Sequence, residues 1–400
     1  MVLTLKKTYI LLLLLGLGIS NIGAWIYLIA LNLKIFNQTQ SALSIAILYI
    51  LSPVAMLVVS FWAGSLIDRL NTRKMMIFLD CFRAICILFI PTTNSLIGIY
   101  ILSFLVQLSN AIFTTASTVY ITKLIPVNER QKFNSLKILI QSCGAILGPI
   151  VAGVLLLFIS TNQTIYFNTC ILLFSASIIY FLPNVQISQT ENTDLSFKVI
   201  KKDFLTIVMY SKKNHFIFII YCFFLGMTIF MTAIDSIETA FSKSVIDLTD
   251  AEYGFLLSIF GTGILLGSLI NTLFAKYFSL SFLIGIGTLT TSIGYISYYS
   301  SFNFSHVLIS MLFIGFCLPF SQTGFITFYQ NNIPTSILGR FQSIVGVVEA
   351  IGIIIFTLTI GYLSTLFSLR LVGIIGSFLF FLFSLFLFYI IYFKKKNFPY

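Results

Sequence analysis

Apolar residues run along this chain in long blocks without polar alternation. The blocks fall near residues 9–33, 42–67, 75–92, 96–123, 135–158 and 165–183. A second set falls near 215–241, 252–275, 281–300, 303–332, 342–365 and 370–393. A bilayer core is crossed by about 20 apolar residues in helical form. Inside hydrocarbon every backbone N–H and C=O needs a partner within the protein, which leaves helices or closed barrels. Barrel strands alternate in polarity over roughly 10 residues, and these blocks do not. The pattern predicts an all-α polytopic membrane protein with twelve transmembrane helices. Short connectors rich in Asn, Thr, Ser and Pro separate most blocks. One polar stretch is long, 184–214, with Glu191, Asp194, Lys198, Lys201, Lys202, Lys212 and Lys213. It divides the chain into a six-helix bundle over 1–183, a central loop, and a six-helix bundle over 215–400 that ends in a short basic tail. Lys6 and Lys7 followed by Ile10 to Leu15 resemble a leader, yet the apolar run continues through Leu33 without a small-residue cleavage site. It is read as a retained first helix.

Composition sharpens this picture. The chain is 58% hydrophobic and 9% charged, with a mean hydropathy of +1.03, whereas soluble domains carry about 25% charged residues. The net charge of +11 does not indicate nucleic acid, because of where the charges lie. With the N-terminus inside, 19 of the 23 Lys and Arg residues fall on inner segments, and only Lys34, Lys243 and Arg370 on outer ones. That asymmetry predicts a cell-membrane protein with both termini and the central loop cytoplasmic. The six cysteines lie within apolar runs, with no CxxC pair and no flanking histidine. They read as small core hydrophobes, neither metal ligands nor disulfides.

A repeat relates the two halves. The connector after the fourth block carries Ile125-Pro126 and then Lys132-Phe133-Asn134-Ser135; the connector after the tenth carries Ile333-Pro334 and then Arg340-Phe341-Gln342-Ser343, at one offset of 208 residues. Parallel six-helix halves of this kind are a transporter architecture, with the substrate site between them near the midplane.

The connector between spans 2 and 3 reads Gly64-Ser-Leu-Ile-Asp68-Arg69-Leu-Asn71-Thr-Arg73-Lys74. It resembles the signature loop of the major facilitator superfamily, G-x-L-x-D-R-x-G-R-R/K. Asn71 stands where the family usually has glycine, and Asn is the next best residue for a left-handed turn. The resemblance implies that Asp68 docks as an anion on the N-terminus of span 11 and holds the inner gate, with the basic residues bridging neighbouring helices. Asp80 and Arg83 follow on one face of span 3, roughly 9 and 13 Å inside it at 1.5 Å per residue. Charges at that depth need partners, so a mutual ion pair that also touches Asp68 or span 2 is expected. An acid and an arginine here resemble the drug-exporter branch that includes macrolide-efflux and siderophore-export proteins. Span 5 carries Gly144, Gly148, Pro149 and Gly153, which resemble the family's antiporter motif G-x-x-x-G-P-x-x-G-G with Ala152-Gly153 in place of the double glycine. Small residues at this spacing let a neighbouring helix come close.

The remaining intramembrane acids, Asp235 and Glu238 in span 7 and Glu349 in span 11, are candidate proton carriers. In the family, spans 1, 4, 7 and 10 line the cavity; here they bring Asn21, Trp25, Gln107, Asn110, Gln322 and Thr323. No phosphate-binding GxxxxGK[ST] loop, HExxH or GxSxG is present. The resemblance thus implies a secondary active transporter, not an enzyme, working without cofactor or metal and expected as a monomer. It would exchange a small amphipathic molecule for protons. Rival readings are export of a siderophore or peptide, import, lipid flipping, and a receptor or enzyme without transport.

Overall fold

The computed structural model describes residues 2–60, 67, 70–125, 127–184, 209–210, 212–274, 277–333 and 335–393. Among these it is all helix: α1 Val2–Thr39, α2 Ala42–Ser60, α3 Thr72–Phe89, α4 Leu96–Leu124, α5 Val127–Phe158, α6 Thr161–Tyr180, α7 His215–Asp235, α8 Glu238–Ser244, α9 Asp250–Leu273, α10 Leu280–Tyr299, α11 Phe304–Asn332, α12 Thr335–Leu366 and α13 Leu369–Phe393. The short α8 continues the path of α7 as one apolar span, His215–Ser244, so the helices make twelve spans. Ten are long and apolar enough to cross a membrane among the described residues. The other two are α3, which carries Arg73, Lys74, Asp80 and Arg83, and α5, whose apolar part is Leu147–Phe158.

Helix starts follow capping chemistry. Ser95, Ser160 and Ser279 each accept a hydrogen bond from a first-turn N–H, and Ser160 with Gln163 forms a capping box. Asn71 does the same for α3, accepting from the Lys74 N–H at 3.1 Å. Its φ of −68° and ψ of 106° are extended. The left-handed turn expected at Asn71 is therefore absent, and Asn serves there as an N-cap.

Two compact units are present. One comprises Met1–Thr39, Leu51–Glu191 and Asp250–Ser258; the other comprises Gln40–Ile50, Asn192–Thr249 and Ile259–Tyr400. Each half thus lends the first turns of one helix, α2 or α9, to the other unit. The helix pairings repeat between halves. In the first half α1 packs on α5 and α6, and α3 on α4 and α6; in the second, α7 packs on α12 and α13, and α10 on α11 and α13. The repeated connector residues occupy equivalent places. Ile125 and Phe133 are buried in an apolar cluster with Tyr120, Met76 and Ile179, and Ile333 and Phe341 in one with Tyr221 and Val345. Pro126 and Pro334 lie outside the described residues.

Two expectations need correction. The first span does not end at residue 33, and Lys34 lies within its helix. The helix α1 runs to Thr39, and Lys34 is 6% exposed. The cysteines are not all core residues: Cys86 and Cys317 are buried, whereas Cys143, Cys170 and Cys222 are exposed. A lipid-facing position suits a small apolar side chain as well as a core position does, so burial does not follow from hydrophobicity here.

Candidate functional site

In the N-terminal unit, Arg83 pairs with Asp80 one turn away. The pair is buried, at 4% and 0% exposure. Asp80 also accepts from the Ser175 hydroxyl of α6 at 2.9 Å. Arg83 donates to the Asn110 carbonyl oxygen of α4 at 2.9 Å and lies 4.6 Å from the Phe113 ring centroid. Among the described residues the charges tie α3 to α4 and α6; Asp68 and residues 61–66 of span 2 lie outside the described residues. Pairing plus these further contacts is what makes two charges tolerable at this depth.

Arg83 also faces a cavity of about 190 Å³, walled by Trp25 and Tyr27 of α1, Gln107 and Asn110 of α4, and Asn168 of α6. Trp25 is held by α5. A Cβ placed on Gly148 would land on the Trp25 side chain, one on Gly144 would meet the Asn21 amide, and one on Gly153 would meet the Gly254 carbonyl and the Ser258 hydroxyl of α9. The glycine series is thus a contact face whose first two members receive α1 and whose third receives α9. Gly148→Val should push Trp25 out of its place at a cost of about 1–3 kcal/mol. A lowered unfolding temperature in detergent with a shifted tryptophan emission would show it; unchanged values in both would refute this packing role.

The C-terminal unit has its own cavity, about 250 Å³, between α7, α10, α11, α12 and α13. Its walls combine the aromatic and sulfur-bearing side chains Tyr221, Phe224, Met227, Met231, Phe325 and Phe380 with aliphatic residues and the hydroxyls of Thr228, Thr288, Thr291 and Ser321. Phe224 and Phe325 are stacked, with centroids 3.5 Å apart. Glu349 of α12 is the acid in this wall, with Gln322 of α11 beside the aromatics. Among the described residues its carboxylate has no hydrogen bond or ion pair, and it is half-buried. The arrangement suits a cation: aromatic faces and a carboxylate attract positive charge in a largely dry site, and methionines adapt to different shapes.

The Major Facilitator Superfamily family model matches residues 13–357. This chain belongs to the Major Facilitator Superfamily. It is a multi-pass membrane transporter. It is 26% identical over 176 residues to the uncharacterized MFS-type transporter YfiS of Bacillus subtilis (strain 168), a match spanning 44% of this chain and 42% of that relative's length. Among solved structures it is similar to a bacterial homolog of the human lysosomal transporter Spinster in an inward-facing, unoccupied conformation, with TM-score 0.71, 13% identity and 99% of each chain covered. It is also similar to the nucleoside transporter NupG, with TM-score 0.70, 13% identity, and 96% of this chain and 99% of that one covered. The D-xylose–proton symporter gives TM-score 0.70, 13% identity and 98% of each chain. At these identities the likeness is one of fold.

Of the family positions carried onto this superfamily member, Gly64, Asp68 and Arg69 lie outside the described residues. Arg73 donates to the Tyr180 carbonyl at the C-terminal end of α6 and lies 5.3 Å from that ring's centroid. This places a cation at the negative end of a helix dipole. Lys74 is exposed. Trp25, Gln107, Asn110 and Gln322 line cavities. Asn21 packs over Gly144 instead, and Thr323 is exposed, outside the described cavities. One residue further along a helix turns the side chain by about 100°, which separates Thr323 from Gln322.

The helix is interrupted at Ser236 and Ile237 between α7 and α8, yet Asp235 and Glu238 both bond to α10. Asp235 accepts from the Tyr295 hydroxyl at 2.7 Å. Glu238 accepts from Tyr298 at 3.0 Å and from Ser242 at 3.2 Å, so it is a hydrogen-bonded group and not merely a solvated one. Tyr299 donates to the Ile234 carbonyl at 2.8 Å. These three tyrosines of α10 were missed in the sequence, although their spacing puts all three near one helical face.

A polar cavity of about 500 Å³ was also missed. There Lys34 donates to Asn162 at 3.2 Å and to the Pro91 carbonyl at 3.4 Å. Asp250 accepts from Asn37 at 2.9 Å and from Thr161 at 3.4 Å. Each of these residues had looked like ordinary connector polarity.

Proposed function

We propose that this superfamily member exports a small amphipathic cation in exchange for protons, by alternating access. The observation that carries the reading is Glu349, a carboxylate without a partner among the described residues, set beside aromatic and methionine side chains in the C-terminal cavity. A proton and a cationic substrate compete for such a group. Protonation from outside empties the site, and loss of the proton to the cytoplasm refills it. The antiporter-like glycine series of α5 supports the exporting direction by resemblance. Asp68, Arg69, Arg73 and Lys74 are proposed to hold the inner gate, and the bundles over 1–183 and 215–400 to move about the 184–214 loop.

Proteoliposomes test this. With membrane potential clamped, vesicles with an acid lumen should accumulate tetraphenylphosphonium through the inside-out population, and vesicles without a gradient should only equilibrate it. Equal uptake in both would remove proton exchange. In cells, deletion should produce sensitivity to lipophilic cations; loss of a secreted product without such sensitivity would favour export of an endogenous siderophore or peptide.

The orientation proposed with this function is cytoplasmic for both termini and for 184–214. Topology reporters fused at residues 37, 94, 162 and 303 should read as external. A cytoplasmic reading at two of these sites would overturn it.

A further inference from the structure

The N-terminal cavity has an uneven hydrogen-bonding balance. Arg83 spends one Nη on Asp80 and the other on Asn110, while its Nε is buried without a partner among the described residues. Arginine has five N–H donors and no acceptor, and a buried donor left unmade costs about 1–3 kcal/mol. Two more donor-bearing side chains line the same space. Among the described residues neither the Gln107 amide nor the Trp25 indole N–H has a hydrogen-bond partner. The charge, by contrast, is settled: Arg83 is matched by Asp80, which is 0% exposed. The rest of the wall mixes apolar Ile87, Val106 and Leu172 with Ser20, Tyr27, Asn110 and Asn168; the Tyr27 hydroxyl donates to Ser103 and Asn110 accepts from Arg83, while the Asn168 Oδ1, a buried acceptor without a partner among the described residues, packs against Gly23. The wall therefore offers unmade donors at Arg83 and Gln107, and the ion pair keeps it close to neutral.

We infer that this cavity binds a neutral hydrogen-bond-accepting oxygen group of the transported molecule, an ester or amide carbonyl, with Arg83 and Gln107 donating to it and the Trp25 ring covering its apolar flank. A carboxylate would set a second negative charge beside Asp80. An amine would set a second positive charge beside Arg83. Both are penalised in a low-dielectric site, whereas a carbonyl oxygen satisfies the open donors without added charge. The inference rests on the reading of the chain as a carrier of amphipathic molecules, and it assigns the oxygen-bearing part of such a molecule to the N-terminal unit.

The protein contains its own reporter. Its two tryptophans are Trp25 and Trp62, so Trp62→Phe leaves the cavity indole as the sole emitter. The full chain in detergent would be titrated with four probes that share one ring: methyl cyclohexanecarboxylate, cyclohexanecarboxylate, cyclohexylmethylamine and ethylcyclohexane. The ester should give a saturable change in Trp25 emission and bind roughly tenfold tighter than ethylcyclohexane, the gain expected of one or two hydrogen bonds. The two charged probes should bind more weakly than the ester. Gln107→Leu should bring the ester most of the way to the ethylcyclohexane level, and the paired exchange Asp80→Asn with Arg83→Gln should do so without leaving a lone buried charge. Tighter binding of the carboxylate or the amine than of the ester would overturn the proposal. So would ester binding no better than ethylcyclohexane, or ester binding unaltered by Gln107→Leu. The titration needs no gradient. Ester binding without gradient-driven transport keeps this site and removes proton coupling; gradient-driven transport without a Trp25 response removes this site alone.

Discussion

Glu349→Gln is expected to abolish the response of transport to a pH gradient while leaving downhill exchange measurable. One pH unit is worth about 1.4 kcal/mol per proton, or about tenfold accumulation. A carrier without its protonatable group cannot use that energy, so the accumulation ratio should fall from about tenfold to about one. The proposal assigns this role to Glu349 and not to Asp235. Among the described residues Glu349 lines the cavity without a partner, whereas Asp235 is engaged by Tyr295. Asn at position 235 keeps an acceptor for that hydroxyl, so Asp235→Asn should retain the response. Reconstituted transport at clamped potential, with and without the gradient, decides between them. A full response in Glu349→Gln with a lost response in Asp235→Asn would move the coupling site to the acid–tyrosine cluster of α7 and α10.

The largest loss of stability is expected at the other buried charge. Asp80→Ala strips Arg83 of its counter-charge inside the N-terminal unit, where removing one member of a buried pair costs roughly 3–5 kcal/mol. Most of that cost comes from the arginine left behind. The double variant Asp80→Leu with Arg83→Met should therefore recover much of what the single variant loses. Thermal unfolding in detergent, followed by the fraction eluting as folded protein, measures both. If Asp80→Ala unfolds at the same temperature as the parent, the pair does not hold α3 in place.

These two sites differ in how far they could be read from the chain. Asp80 and Arg83 are three residues apart, so one helix brings them together wherever it packs. Their further partners, Ser175 and Asn110, depend on which helices flank α3 and were not legible. The same division runs through the glycine series. Gly144, Gly148 and Gly153 announce a close approach, but that Asn21, Trp25 and Gly254 are what approaches is a matter of packing. Tyr295 meets Asp235 across 60 residues of sequence, and no local pattern signals such a meeting. Trp25, Gln107, Asn110 and Gln322 were reachable through the family resemblance, because span number predicts a cavity-facing helix. It does not predict which side of that helix faces inward, and Asn21 and Thr323 show the difference.

The sequence by itself determined the number of spans, their helical form and the duplication of the halves. Each of these depends on local or repeated features: an apolar block long enough for a bilayer, a backbone that must pair with itself in hydrocarbon, and matching connectors at one offset. Only the tertiary structure decided which face of each helix is core. In water, burial leaves a periodic apolar stripe that can be read from sequence. In lipid both faces are apolar, since the acyl chains are as apolar as the protein interior. Phe78, Phe158 and Phe386 are exposed while Phe36, Phe328 and Phe341 are fully buried, and nothing in their hydrophobicity separates the two groups. Helix contacts made by small residues, hydrogen bonds and the Asp80–Arg83 ion pair make that choice, and with it they decide that Glu349 and Arg83 face cavities.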